Sequence, residues 1–163
     1  MKTTHVTIEY MIMLPLLILQ IFLFPLTASW LMNNWVDSRR TLALQDAASH
    51  LGSIVQQLYF ALNHPTIPVG TAASDTPELP RFIDNYYYLG NATLKQLGSA
   101  PNAGKVLEIT LRLVTTGITV TASVILGSIA QWDQTSLFKS NSTFACVLAT
   151  KLSTTSIKLG FGG

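Results

Sequence analysis

From Tyr10 to Val36 the chain carries no charged side chain. That run exceeds the roughly 20 residues a helix needs to cross a bilayer. Directly after it comes "DSRRTLALQDAASHLGSIVQQLYFALNHP", where Leu44, Ala47, Leu51, Ile54, Leu58 and Leu62 recur at helical spacing. Asp46, Ser49, Ser53 and Gln57 lie largely opposite. Pro65 pushes the residue before it out of the helical region and supplies the stop. No break separates the two stretches, so the reading is one helix from about residue 7 to about residue 62. Its first half is apolar all round, and its second half is amphipathic. Pro15 and Pro25 each remove a helix hydrogen bond and loosen or kink the helix locally.

Composition narrows the rest. The chain has 163 residues, 48% of them hydrophobic and only 11% charged, with a net charge of +2. So small a balance gives no phosphate-binding surface. Cys146 is the single cysteine, which excludes an internal disulfide and a cysteine-based zinc site; its apolar setting in "TFACVLAT" reads as a small core residue. His5, His50 and His64 are far apart, with no carboxylates at ligand spacing. No nucleophile elbow, P-loop, dinucleotide fingerprint or zinc-protease motif occurs. No cofactor and no enzymatic activity are expected.

Beyond the helix, residues 63–104 are rich in Pro, Gly, Ser and Thr and begin as a surface loop. The stretch Tyr86 to Leu89 fits a strand or a helical turn equally. From Lys105 the period becomes two. In "VLEITLRLV", Leu107, Ile109, Leu111 and Leu113 alternate with Glu108, Thr110 and Arg112, which is a strand with one wet face. "ITVTASVIL" continues the pattern after a hairpin across Thr115, Thr116 and Gly117. "STFACVLATKL" and "TTSIKLGF" give two further strands. The fold class is therefore α+β, a long amino-terminal helix followed by a small antiparallel, sandwich-like β head over residues 63–163.

The opening "HVTIEYMIML" resembles the processing region of archaeal type IV pilin precursors, the class III signal peptides, whose motif is roughly Gln-x-Ser-x-Glu-Tyr. His5 stands at the Gln position, Thr7 at the Ser, and Glu9-Tyr10 match. The amphipathic continuation to residue 62 is similar to the second half of that family's helix. The resemblance implies a leader of residues 1–4, cut by a membrane prepilin peptidase between Thr4 and His5 ahead of Glu9 and Tyr10. It implies assembly by an ATPase and a platform protein into an extracellular homopolymer, heads outward, with the membrane as the waiting compartment and adhesion as the role. Contacts between subunits are then expected from Glu9, Leu14, Leu17, Ile21 and Phe24, and from Leu44, Leu51, Ile54 and Leu58.

A carboxylate at the edge of a hydrocarbon-facing helix is costly and wants a partner, so Glu9 is expected to pair between subunits. The bland alternative places it at headgroup level, near a helix amino terminus that favours an anion. Asn91 in "NAT" and Asn141 in "NST" are glycan acceptor sequences in an exported chain. Arg39 and Arg40, just after the apolar run, mark a cytoplasmic flank under the positive-inside rule and oppose the heads-outward orientation. Two other readings stand beside the filament subunit. One is a membrane-anchored minor pilin or monomeric surface-binding protein, whose helix packs on its own head. The other is a secreted enzyme cut after Ala28.

Overall fold

The computed structural model describes residues 3–100 and 102–162, with side chains described from residue 11 onward except at residues 12 and 101. The chain is α+β. Helix α1 runs Thr3–Asn63. Eight strands follow: β1 Ala72–Asp75, β2 Tyr88–Gln96, β3 Lys105–Leu113, β4 Thr119–Leu126, β5 Ala130–Trp132, β6 Phe138–Lys139, β7 Cys146–Ser153 and β8 Ser156–Gly162. They form two four-stranded sheets, ordered β1-β7-β8-β5 and β4-β3-β2-β6.

The chain divides into two compact units, Met1–Arg39 and Arg40–Gly163. The division falls inside α1, and its cause is packing. From Leu44 onward the apolar face of the helix is consumed by the strands: Leu44, Ala48, Leu51 and Val55 are fully buried, with Tyr59 and Leu62 nearly so. Gly52 shows how close the approach is. A Cβ placed there would lie 2.5 Å from Val124 Cγ2 and 3.9 Å from Ile109 Cδ1, so the helix backbone rests against β3 and β4 where only a glycine fits. The Gln56 amide donates to the Ile125 carbonyl at 3.3 Å on the same strand.

The β3–β4 hairpin sits where its alternation places it. Leu107, Ile109, Leu111 and Leu113 face inward opposite Val124, Ala122, Val120 and the turn, and Gly117 takes φ +72° at that turn. The undecided stretch Tyr86 to Leu89 is extended, running from a bridge at Tyr86 into β2, and a two-residue hairpin turn precedes it. Asp84 and Asn85 both have positive φ, 48° and 68°, and Ile83 and Tyr86 exchange backbone hydrogen bonds of 2.9 and 3.0 Å. Two positive-φ residues define the primed turn that matches strand twist.

The second sheet closes the core with Val147, Ala149, Ile157, Leu159 and Phe161. Phe161 stands edge-on to Trp132 at 4.8 Å and to Phe138 at 5.6 Å, joining the two sheets through one aromatic cluster. One pairing departs from the expected antiparallel pattern: β5 runs parallel to β8. The chain between them visits the other sheet as β6 and returns through β7, and that long excursion is what a parallel pairing requires.

Candidate functional site: an unpartnered apolar helix

Within the head, buried polar side chains close on backbone groups, the Trp132 indole N–H being the buried group left without a partner among the described residues. Lys151 is 5% exposed, and its ammonium donates to the His64 carbonyl at 3.0 Å and the Ile67 carbonyl at 2.9 Å. It thereby satisfies backbone acceptors just past the end of α1, where a helix leaves carbonyls without partners. Ser140, also buried, accepts from the Tyr88 backbone N–H at 2.9 Å and donates to the Arg81 carbonyl at 2.8 Å. The Tyr88 hydroxyl donates to the Pro80 carbonyl, and burial pushes its pKa up to about 12. Burial likewise raises the Tyr59 phenol, against a smaller opposing effect of a hydrogen bond with the Gly127 backbone. These bonds fasten the segment after the helix, which is an anchored loop rather than a free one.

Three ion pairs lie at the head surface among the described residues, one of them Lys95 with Glu108 at 2.6 Å across β2 and β3. Arg40 Nε meets Asp84 Oδ2 at 3.0 Å, and its guanidinium lies 5.4 Å from the centre of the Tyr86 ring. Asp133 pairs with Lys158 at 2.8 Å and accepts from the Thr135 backbone N–H and hydroxyl. Those partners hold the Asp133 carboxyl down at about 2, the Lys158 hydrogen bond being the largest cause. A groove of about 150 Å³ beside this pair is lined by Leu148, Thr150 and Gly160 among others. No group of three potential metal ligands occurs among the described residues. Cys146 is half-buried, lying on the outer side of β7 beside Gly162, and so is not the core residue expected of it.

The other unit is of opposite character. Leu14, Leu17, Ile21 and Phe24 are 61%, 53%, 66% and 77% exposed, and the remaining large apolar side chains described between Met11 and Trp35 are exposed too. The most apolar membrane-length window of α1 has a mean hydropathy of 1.9 and none of it buried. Helix geometry persists through Pro15 and Pro25. Near the second proline, the Thr27 hydroxyl donates to the carbonyls of Leu23 and Phe24, neither of which is the Ile21 carbonyl whose helical donor Pro25 removes. Arg39 lies 5.0 Å from the centre of the Trp35 ring, a cation over an aromatic face.

The expected contact residues therefore separate into two groups. Leu14, Leu17, Ile21 and Phe24 are unpartnered. Leu44, Leu51 and Ile54 are 0%, 0% and 6% exposed, and Leu58 is half-buried against the same core. Leu44, Leu51 and Ile54 are spent within their own head and offer nothing to a neighbour, which corrects their assignment as polymerisation contacts, while Leu58 is only partly covered. Periodicity revealed that this face is buried but not what buries it. Thr4, His5, Glu9 and Tyr10 fall on helical backbone, and their side chains lie outside the described residues. Asn91 is exposed in β2 opposite Thr110, and Asn141 is exposed in the turn after β6.

No family model, no curated protein and no solved structure matches this chain. What stands is a long amino-terminal apolar helix followed by a β-rich unit, with one helix among the described residues long and apolar enough to enter a membrane.

Proposed function

We propose that this chain is the structural subunit of a type IV pilus-like filament at the cell surface. Its apolar half-helix waits in the membrane and then packs among the same segment of other subunits, with the β heads outward in an adhesive role. One observation carries the proposal. The head consumes most of the apolar face of the amphipathic half-helix, leaving Leu42 and Phe60 exposed, whereas from Met11 to Trp35 every large apolar side chain described is exposed, and that segment requires apolar surroundings. Lipid supplies them before assembly and neighbouring helices afterwards, and a repeated heterologous contact that does not close yields an open helical polymer. The resemblance of "HVTIEY" to the pilin processing motif supports the same reading and names its partners: a prepilin peptidase, an assembly ATPase and a platform protein.

A second reading is favoured by one particular finding. Because the amphipathic half packs on its own head, it gives no independent reason for helical partners, as a membrane-anchored monomeric or minor subunit would have it. Electron microscopy of appendages sheared from cells making this chain, with mass spectrometry of its terminus, separates the two. Filaments built mainly of this chain, cut before His5, are the expected result. A chain recovered only in membranes as a monomer overturns the filament, and a soluble chain starting near Ser29 overturns both readings.

A further inference from the structure

Gln20 sits near the middle of the uncharged run. Among the described residues its amide has no hydrogen-bond partner within the chain. In hydrocarbon, an amide without a partner is expensive. Five residues on, Pro25 carries no amide hydrogen, so the Ile21 carbonyl lacks its helical donor. Gln20, Ile21 and Pro25 line one groove of about 670 Å³ along the helix, together with Leu17, Phe24 and Thr27. The Gln20 amide and the carbonyl that Pro25 deprives of its helical donor thus belong to residues that line one largely apolar notch. Thr27, which shares the groove, already bonds its own backbone and cannot donate to them.

The notch is complementary to itself. We propose that it is a polar contact between neighbouring copies of this chain, the Gln20 amide of one helix donating to the Gln20 amide oxygen or the Ile21 carbonyl of the next. Copies inserted in the membrane in the same direction present residue 20 at the same depth, so donor meets acceptor there without a shift along the axis, before assembly staggers the subunits. Side-chain amides crossing between helices are an established source of association in membranes, and here the partner acceptor is created by a proline. This inference rests on the filament reading only in setting copies side by side.

Full-length chain with Cys146→Ser, oxidised in native membranes, tests it. Phe24→Cys and Thr27→Cys lie on the Gln20 side of the helix, while Phe22→Cys and Ser29→Cys lie opposite. The first pair should give disulfide-linked dimers several-fold more abundantly. Adding Gln20→Leu to Phe24→Cys should weaken self-association about threefold to tenfold in micelles, and Gln20→Asn should retain part of it. Equal cross-linking on all sides, cross-linking confined to Phe22→Cys and Ser29→Cys, or none means lipid or another face covers the notch, and overturns the proposal. So does a cross-linked product of another mass, which marks a foreign helix, or indifference to Gln20→Leu. Gln20 lies outside the head unit, so head folding provides an internal control. Filaments without side-specific cross-links sink this contact and leave the filament standing; side-specific cross-links in cells lacking filaments do the reverse.

Discussion

Gly52→Ala isolates what the second half of α1 is for. On an exposed helix the substitution stabilises by about 0.8–1 kcal/mol, because glycine is the poorer helix former. Here the added methyl would lie 2.5 Å from Val124 Cγ2, well inside contact distance, and valine has little rotamer freedom with which to yield. Overpacking of this kind costs about 1–3 kcal/mol, so the net expectation is a loss of up to roughly 2 kcal/mol. At a few degrees per kcal/mol for a domain of this size, thermal unfolding of the head should move down by about 2–8 °C. The assay is melting of full-length chain in mild detergent, followed by far-ultraviolet circular dichroism. Val124→Ala removes the obstructing methyl, so the double variant should be more stable than the sum of the single effects, with a coupling of about 1–2 kcal/mol. If Gly52→Ala raises the melting temperature, helix propensity has won. The helix then does not lie against β4, and its apolar face becomes available to other subunits again.

Lys151→Met keeps the length of the side chain but takes the ammonium donor from the Ile67 carbonyl and leaves the His64 carbonyl only the Ile67 N–H; a loss of about 1–3 kcal/mol in denaturant unfolding is expected. Asp133 makes the head sensitive to acid. Its folded pKa of about 2 lies below the ordinary 3.8, so the unfolded chain binds the extra proton and stability rises with pH through that window. The difference in melting temperature between wild type and Asp133→Asn should be full above about 3.8 and vanish as pH falls toward about 2. Ile21→Lys places a charge in the apolar half at an insertion cost of about 2.5–3.5 kcal/mol; it should abolish membrane retention and filament incorporation with head melting unchanged. Leu51→Ala should do the opposite first, lowering head stability by about 2–5 kcal/mol.

The helix and the β3–β4 hairpin were readable because each obeys a single period over many residues. Asp84-Asn85 carries a turn signal as well, since two residues tolerant of positive φ stand between Ile83 and Tyr86. Lys151 was not readable. In "CVLATKLS" the alternation offers Leu148 and Leu152 for the inside as readily as Val147 and Ala149, yet the structure buries the second set together with a lysine. What decides is the pair of carbonyls beyond the helix end, a requirement set by residues far away in sequence. The parallel β5 was hidden for a similar reason: three residues carry no period. For the candidate site, exposure of the apolar half was legible in its composition, whereas the conjunction of Gln20 with the carbonyl freed by Pro25 is a matter of helix geometry.

The Lys151 contact also bears on timing. Its acceptor His64 precedes it by 87 residues, and β1 too must await β7 for its partner. A ribosome therefore completes α1 and the β3–β4 hairpin long before the strand that caps the helix and fills the core exists. Until β7 and β8 emerge, the nascent head exposes its inner face, and the last phase of synthesis sets when the chain becomes fit for release. A chain interrupted before Cys146 would hold an intact apolar helix on an open head, a species that a quality-control protease can tell from the finished subunit.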